Sequence, residues 1–335
     1  MTLLVTSLVA TAAAALLSAA IIPAIAPLLQ RYALARPNAR SSHHIPTPQG
    51  AGIAVISAAL AVSGTAAVVL HFSAPVVVFG ATIFIALVGM ADDIRSIPVL
   101  PRLLLQAAAV GAILFVAPAD LRIIPALPLW IERALLLLAG LWFVNLVNFM
   151  DGLDLMTVAE VVPVTAAIVL LGWSGTYPQM STFVAAALCG AMLGFAPFNR
   201  PVAKVFLGDV GSLPIGLLLG WCLLQLAWHQ QLTAALLLPL YYLADATITL
   251  LRRIARGDPF WAAHRSHFYQ RATDNGFTVW RVVGEVFALN LALALLALLS
   301  TRIDSSGNRL VLFAIGAAAV AWALTRFSRR LVPPI

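Results

Sequence analysis

The stretch Met1–Gln30 reads MTLLVTSLVATAAAALLSAAIIPAIAPLLQ and contains no charged side chain. About 20 apolar residues in helical form cross the hydrocarbon core of a bilayer, so this segment is long enough to span one. It lacks the basic amino-terminal region of a cleaved signal peptide, and the expectation is a helix kept in the mature protein. The same composition continues downstream. Of 335 residues, 62% are apolar and 10% charged, against roughly 45–50% and about 25% in a soluble domain. That balance excludes a water-soluble fold. The apolar runs follow one another too closely to leave an interdomain linker, so one membrane domain over residues 1–335 is expected.

Runs of near-spanning length predict an all-α polytopic protein of about eleven transmembrane helices, over 3–29, 50–70, 74–91, 102–118, 131–148, 155–172, 181–198, 213–228, 232–251, 280–300 and 309–327. Alternating the loops between the two sides puts sixteen of the twenty Lys and Arg residues on one face; the other has only Arg122, Arg133, Arg302 and Arg309. Basic loops stay in the cytoplasm, which predicts a periplasmic amino terminus and a cytoplasmic carboxyl terminus. The formal charge of +7 is spread over these short loops rather than over one soluble face, which argues against nucleic-acid binding. Cys189 and Cys222 both lie in apolar runs, so neither a disulfide framework nor a thiolate metal site is indicated.

The carboxylates gather on the basic side, and topology does not require them there. Asp92-Asp93 closes the third predicted span; adjacent acids at the carbonyl end of a helix need a cation, a proton or a lysine to neutralise them. In Asn145-Leu-Val-Asn148-Phe-Met-Asp151-Gly152-Leu-Asp154, polar residues recur every three positions with a break at Gly152. Such amides suit a base or sugar edge, and such carboxylates accept imide or hydroxyl hydrogens or bind metal. A helix cap explains one or two of these residues, hardly four. Asn199-Arg-Pro-Val-Ala-Lys204-Val-Phe-Leu-Gly208-Asp209-Val-Gly211-Ser212 predicts a tight loop offering backbone N–H groups and one carboxylate to a phosphate and its metal, with Ser212 at a helix start. The loop 252–281 carries six arginines with His264-Arg265-Ser266-His267, a composition for phosphate recognition or for contact with anionic lipid. The first basic loop, Arg40 to Gly52, adds an Arg/His cluster with two prolines and two glycines and predicts a shaped loop returning to the membrane.

Pro46-Thr47-Pro48, Asp92-Asp93, the Asn145–Asp154 cluster, Phe206-Leu-Gly208-Asp209-Val-Gly211-Ser212 and His264-Arg-Ser-His267 stand in an order and spacing that resembles the polyprenyl-phosphate N-acetylhexosamine-1-phosphate transferases. That family includes the phospho-MurNAc-pentapeptide translocase and the enzymes that start O-antigen and enterobacterial common antigen. The resemblance runs from about 36 to 275. It implies a bacterial inner-membrane enzyme that moves a sugar 1-phosphate from a UDP-N-acetylhexosamine to undecaprenyl phosphate at the cytoplasmic face and releases UMP. The implied cofactor is Mg²⁺, with Mn²⁺ as the alternative.

By matching positions, the resemblance implies Asp209 and Asp92 as metal ligands and Asp92, Asp93 and Asp209 as the catalytic carboxylates. It implies a nucleotide-sugar set of Asn145, Asn148, Asp151, Asp154, Asn199, Lys204, His264, Arg265 and His267, and a lipid-phosphate pair of His43 and Arg102. The variant His-Arg-Ser-His is similar to the branch that begins lipopolysaccharide O-antigen with N-acetylfucosamine or N-acetylquinovosamine. Gln49-Gly-Ala-Gly52 departs from the basic residue and consecutive glycines of many relatives, which leaves the donor sugar open. Membrane lipid contact and a homodimer are further expectations. The competing reading from another class is a secondary transporter working through Glu160 and Asp245.

Overall fold

The computed structural model describes residues 2–35, 46–175, 177–259 and 264–331, and 76% of it is helical. The elements are α1 (Leu3–Tyr32), β1 (Leu34–Ala35), β2 (Thr47–Pro48), α2 (Gly52–Val69), α3 (Val76–Ile94), α4 (Val99–Val116), α5 (Leu129–Met150), α6 (Met156–Trp173), α7 (Gln179–Phe195), α8 (Asp209–Trp228), α9 (Leu232–Leu237), α10 (Leu240–Ala255), α11 (Phe268–Asp274), α12 (Val279–Ser300) and α13 (Ser306–Phe327). Among the described residues ten helices are long and apolar enough to cross a membrane. The predicted span 232–251 is the exception: Pro239 has no N–H to continue the ladder, and the stretch folds as α9 and α10 on either side of it.

Burial sorts the helices into an inner and an outer set. α6, α7 and α8 are mostly buried and sit at the centre, whereas α1, α4 and α13 present most of their surface outward, as expected where lipid replaces water. α8 packs against α2, α3 and α5, and so touches helices that carry each of the central motifs. Its approach to α2 depends on glycine: a Cβ on Gly52 would lie 2.1 Å from the Cα of Gly211, a small-residue contact of the kind that lets membrane helices meet closely.

The two short strands pair antiparallel, Leu34 with Pro48 and Ala35 with Thr47. The chain after them zips onto the segment before α8: Phe206 N–H donates to Pro48 O at 2.8 Å, and the N–H groups of Gly50 and Ala51 donate to Phe206 O at 3.1 and 3.0 Å. The first basic loop is thereby bound to the Gly208-Asp209 turn.

Candidate active site

Asp92 and Asp93 end α3, where the helix carbonyls disfavour negative charge. The fold resolves this by setting that end against the amino end of α8. Asp93 Oδ1 accepts the backbone N–H of Asp209 at 2.9 Å and Oδ2 that of Val210 at 3.0 Å, so a carboxylate from another helix caps α8. Gln49 Nε2 also donates to Oδ1, at 2.6 Å. Gly89, one turn earlier on α3, permits the approach, since a Cβ there would lie 2.3 Å from the carbonyl oxygen of Asp209.

Because the cap comes from Asp93, α8 begins at Asp209 rather than at 213, and Ser212 lies within its first turn instead of preceding it. The Ser212 hydroxyl instead accepts from Asn148 Nδ2 at 2.9 Å.

Asp92 turns the other way. It accepts the Ile97 N–H at 2.5 Å and Arg102 Nη1 at 2.7 Å, Arg102 standing in the first turn of α4. Arg102 Nη1 is also 3.9 Å from Asp209 Oδ2, and Asn148 Nδ2 donates to Asp209 Oδ1 at 2.7 Å. Asp209 thus stands among an amide, a guanidinium and a second carboxyl group.

Two cavities meet at Asn148 and Asp209. One, of about 480 Å³, is walled by Gln49, Asn148, Asp151, Asp154, Gly208, Asp209, Ser212 and Gln270 among others. The other, of about 550 Å³, has Arg102, Asn148, Asp209, His264 and His267 on its polar side and Leu103, Leu138, Leu141, Trp142 and Leu250 on its apolar side. Both cavities mix polar and apolar lining: the first also has Leu153, Val202, Phe206 and Leu207 in its wall, and Asn148 and Asp209 are common to the two.

Residues 75–227 match glycosyl transferase family 4. That match covers just under half of the chain. A phospho-N-acetylmuramoyl-pentapeptide-transferase of Bacillus licheniformis is 28% identical over 239 residues, 65% of this chain and 71% of the relative. A probable undecaprenyl-phosphate N-acetylglucosaminyl 1-phosphate transferase of Bacillus subtilis is 24% identical over 290 residues, 79% of this chain and 80% of the relative. A shorter stretch of 87 residues is 40% identical to the pentapeptide transferase of Shouchella clausii and spans 26% of that relative's length. With a further pentapeptide transferase, from Halalkalibacterium halodurans, the match spans 46% of the relative.

Within the matched residues lie Asp92, Asp93, Asn145, Asn148, Asp151, Asp154, Asn199, Lys204 and Asp209. The fold brings Asn148, Asp151, Asp154, Asn199 and Asp209 to the first cavity. Asn145 lines the other one and is held by Gln106, its Nδ2 donating to Gln106 Oε1 at 2.6 Å. Asn199 is buried and spans two strands of chain, accepting the Leu155 N–H at 2.7 Å and donating to Val205 O at 3.0 Å. Asp154 accepts the Ala203 N–H at 3.1 Å. Lys204 is exposed and lines neither cavity. Asp151, just past α5, takes a hydrogen bond from the Thr157 hydroxyl. Burial pushes its carboxyl up to about 7, with the Asp93 and Asp154 charges adding to the effect and the Thr157 bond opposing it.

Of the expected residues beyond that match, His43 lies outside the described residues. His264 and His267 line the apolar-walled cavity, while Arg265 pairs with Asp274 at 3.1 Å and faces a separate arginine-lined cavity. Burial, with His267 and Arg253 beside it, lowers His264 to about 4, so at neutral pH it offers a hydrogen bond rather than a charge. Among the described residues, the ion-pair partner of Asp245 is His267. The Asp245 carboxylate accepts the N–H groups of Phe268 and Tyr269 at 3.0 and 3.1 Å and pairs with His267 Nδ1 at 3.2 Å, fixing α11 to α10.

Sequence reasoning missed Gln49, Gln270 and the structural part played by Asp245. Gln49 stood in plain view as the departure within Gln49-Gly-Ala-Gly52. Nothing in the spacing of Asp245 points to amides more than twenty residues away.

Proposed function

We propose that this chain transfers an N-acetylhexosamine 1-phosphate from a UDP-sugar to undecaprenyl phosphate, with loss of UMP. The observation that carries the reading is the Asn148–Asp209 wall, shared by a cavity that gathers Gln49, Asp151, Asp154 and Gln270 and by one that sets Arg102 beside Leu103, Leu138, Leu141 and Trp142. A water-soluble phosphate donor and a prenyl acceptor need that juxtaposition. The relatives named for undecaprenyl-phosphate and pentapeptide transfer support it. In this reading the carboxyl-rich end faces the cytoplasm, following the basic loops, and the chain is one domain in the inner membrane. The donor is an N-acetylhexosamine of the O-antigen-starting kind, after the His-Arg-Ser-His variant.

The residues fit a hard divalent cation. Asp209 and Asp92 offer only oxygen donors, and no ready-made cluster of three or more His, Cys, Asp or Glu exists among the described residues. Mg²⁺ commonly takes one or two carboxylates and completes its shell with water and substrate phosphates. When bound there, it would neutralise charge on the transferring phosphoryl oxygens.

Asn148 holds Asp209 in one rotamer, and Asp93 fixes the backbone from which Asp209 projects. Arg102 is placed to take the acceptor phosphate as its hold on Asp92 loosens. A phosphate monoester has its second pKa near 6, so at neutral pH the acceptor needs little deprotonation and these residues position it rather than act as a base. Asp151 and Asp154 line the first cavity as acceptors for base or sugar hydrogens, with Gln49 and Gln270 beside them.

The test is UMP release by purified protein given undecaprenyl phosphate, Mg²⁺ and a panel of UDP-N-acetylhexosamines. One donor should turn over; none doing so while an active relative works in parallel would sink the proposal. A transporter gains no support from Asp245, whose carboxyl is committed to α11.

A further inference from the structure

Five guanidinium groups line a third cavity, of about 360 Å³, that shares no residue with the two above: Arg252, Arg253 and Arg256 from the end of α10, Arg265 from the following loop and Arg271 from α11. Cations at the last turn of a helix are favourable in themselves, which accounts for Arg252 and Arg253. Arg271 likewise stands in the last turn of α11, but that does not account for Arg265, which comes from the loop, or for the convergence of three segments on the same space. A guanidinium stays charged at any physiological pH, so the convergence needs countercharge. Asp274 supplies it to Arg265 from outside, and the Pro259 carbonyl accepts from Arg253 at 2.7 Å. Among the described residues no acidic side chain lines the cavity itself.

We propose that this cavity binds the phosphate headgroup of an anionic membrane phospholipid. Forked guanidinium donors match phosphate oxygens two at a time. The source is lipid because the arginines of α10 alternate with apolar residues left open: Leu251 is 59% and Ile254 52% exposed. A helix that sets bare aliphatic side chains beside arginines belongs in the headgroup layer, where anionic lipids concentrate around basic segments. The inference rests on the membrane reading of the chain but not on the transferase chemistry.

The test titrates the purified full chain with phosphatidylglycerol and, separately, phosphatidylcholine, reading bound lipid by native mass spectrometry. Phosphatidylglycerol should bind more tightly, and the preference should shrink with added salt. Combined Arg252→Gln, Arg256→Gln and Arg271→Gln should weaken phosphatidylglycerol by about tenfold or more without changing phosphatidylcholine. The corresponding lysine triple keeps the charge and guards against a folding defect; it should retain the lipid. Equal retention by the native chain and the glutamine variant, or a native preference indifferent to salt, overturns the site. Full competition by inorganic pyrophosphate at equal phosphate concentration assigns the cavity to a soluble ligand and overturns the lipid assignment. UMP release is not read here, so this inference and the transferase reading fail separately.

Discussion

Asp93 on α3 and Asp245 on α10 each cap the amino end of a helix to which they do not belong, Asp93 holding the first two N–H groups of α8 and Asp245 the first two of α11. The surroundings differ. Asp245 is fully buried, with the hydroxyls of Tyr241 and Thr249 donating to it at 3.2 and 3.3 Å. Asp93 is half-buried, with Gln49 as its side-chain partner, and its cap leads directly into Asp209. A fully satisfied buried carboxylate rigidifies what it touches. The α10 carboxylate therefore fixes a segment, whereas the α3 carboxylate fixes the position of a single carboxylate, Asp209, where the two cavities meet. That Asp92 and Asp93 are neighbours hides how different they are: one faces Arg102 and Asp209, the other faces backbone.

The largest effect expected comes from removing the group that the first cap positions. Asp209→Ala should lower kcat for UMP release by about a thousandfold or more, the loss of several kcal/mol of charge stabilisation around the phosphoryl group. Its thermal unfolding should change little, because the capped atom is the backbone N–H and survives the substitution. A loss below tenfold would show that α8 positions something other than a reacting carboxylate.

The caps themselves come next. Asp93→Ala and Asp245→Ala each leave two helix N–H groups without an acceptor, at a cost of about 1–3 kcal/mol apiece, and both should lower the unfolding temperature. Kinetics should separate them. Asp93→Ala lets the Asp209 backbone drift and should act mainly on kcat, while Asp245→Ala frees the segment bearing His264 and His267 and should act mainly on apparent KM. Matching losses in kcat would erase the distinction between the two regions.

The helices were legible because lipid imposes one rule on every span: long, apolar, nearly uncharged. The exceptions mark where a distant group overrides local pattern. Pro239 divided an apolar run that composition alone carries through. The start of α8 moved four residues toward the amino terminus because its cap arrives from Asp93, more than a hundred residues away, and no local capping signal encodes that. In the candidate site, Asn148, Asp151 and Asp154, three residues apart in sequence, line one chamber despite the break at Gly152. Asn145 has the same spacing but faces Gln106 and the other cavity, since a side chain three positions back on α5 is turned by about 60°. Lys204 had charge and proximity in sequence, yet the turn that buries Val205 and Asn199 leaves it outside.

Asp151 gives the smallest and most discriminating readout, because the first region reaches it electrostatically and the second is not among the charges that shift it. Its carboxyl is raised to about 7 by burial, with the Asp93 charge contributing. Below pH 7 it is protonated; above, it is ionised and accepts a donor hydrogen best. The donor KM should accordingly fall a few-fold as pH rises through about 7, and Asp151→Asn should flatten the profile. Asp93→Asn keeps an acceptor for α8 but removes a negative charge, so Asp151 ionises more readily and the midpoint moves to lower pH. Asp245→Asn should leave the midpoint where it is. A midpoint that moved equally in both variants would mean that the two caps act on the site through a common distortion, and the contrast between a cap that positions chemistry and one that holds a segment would not stand.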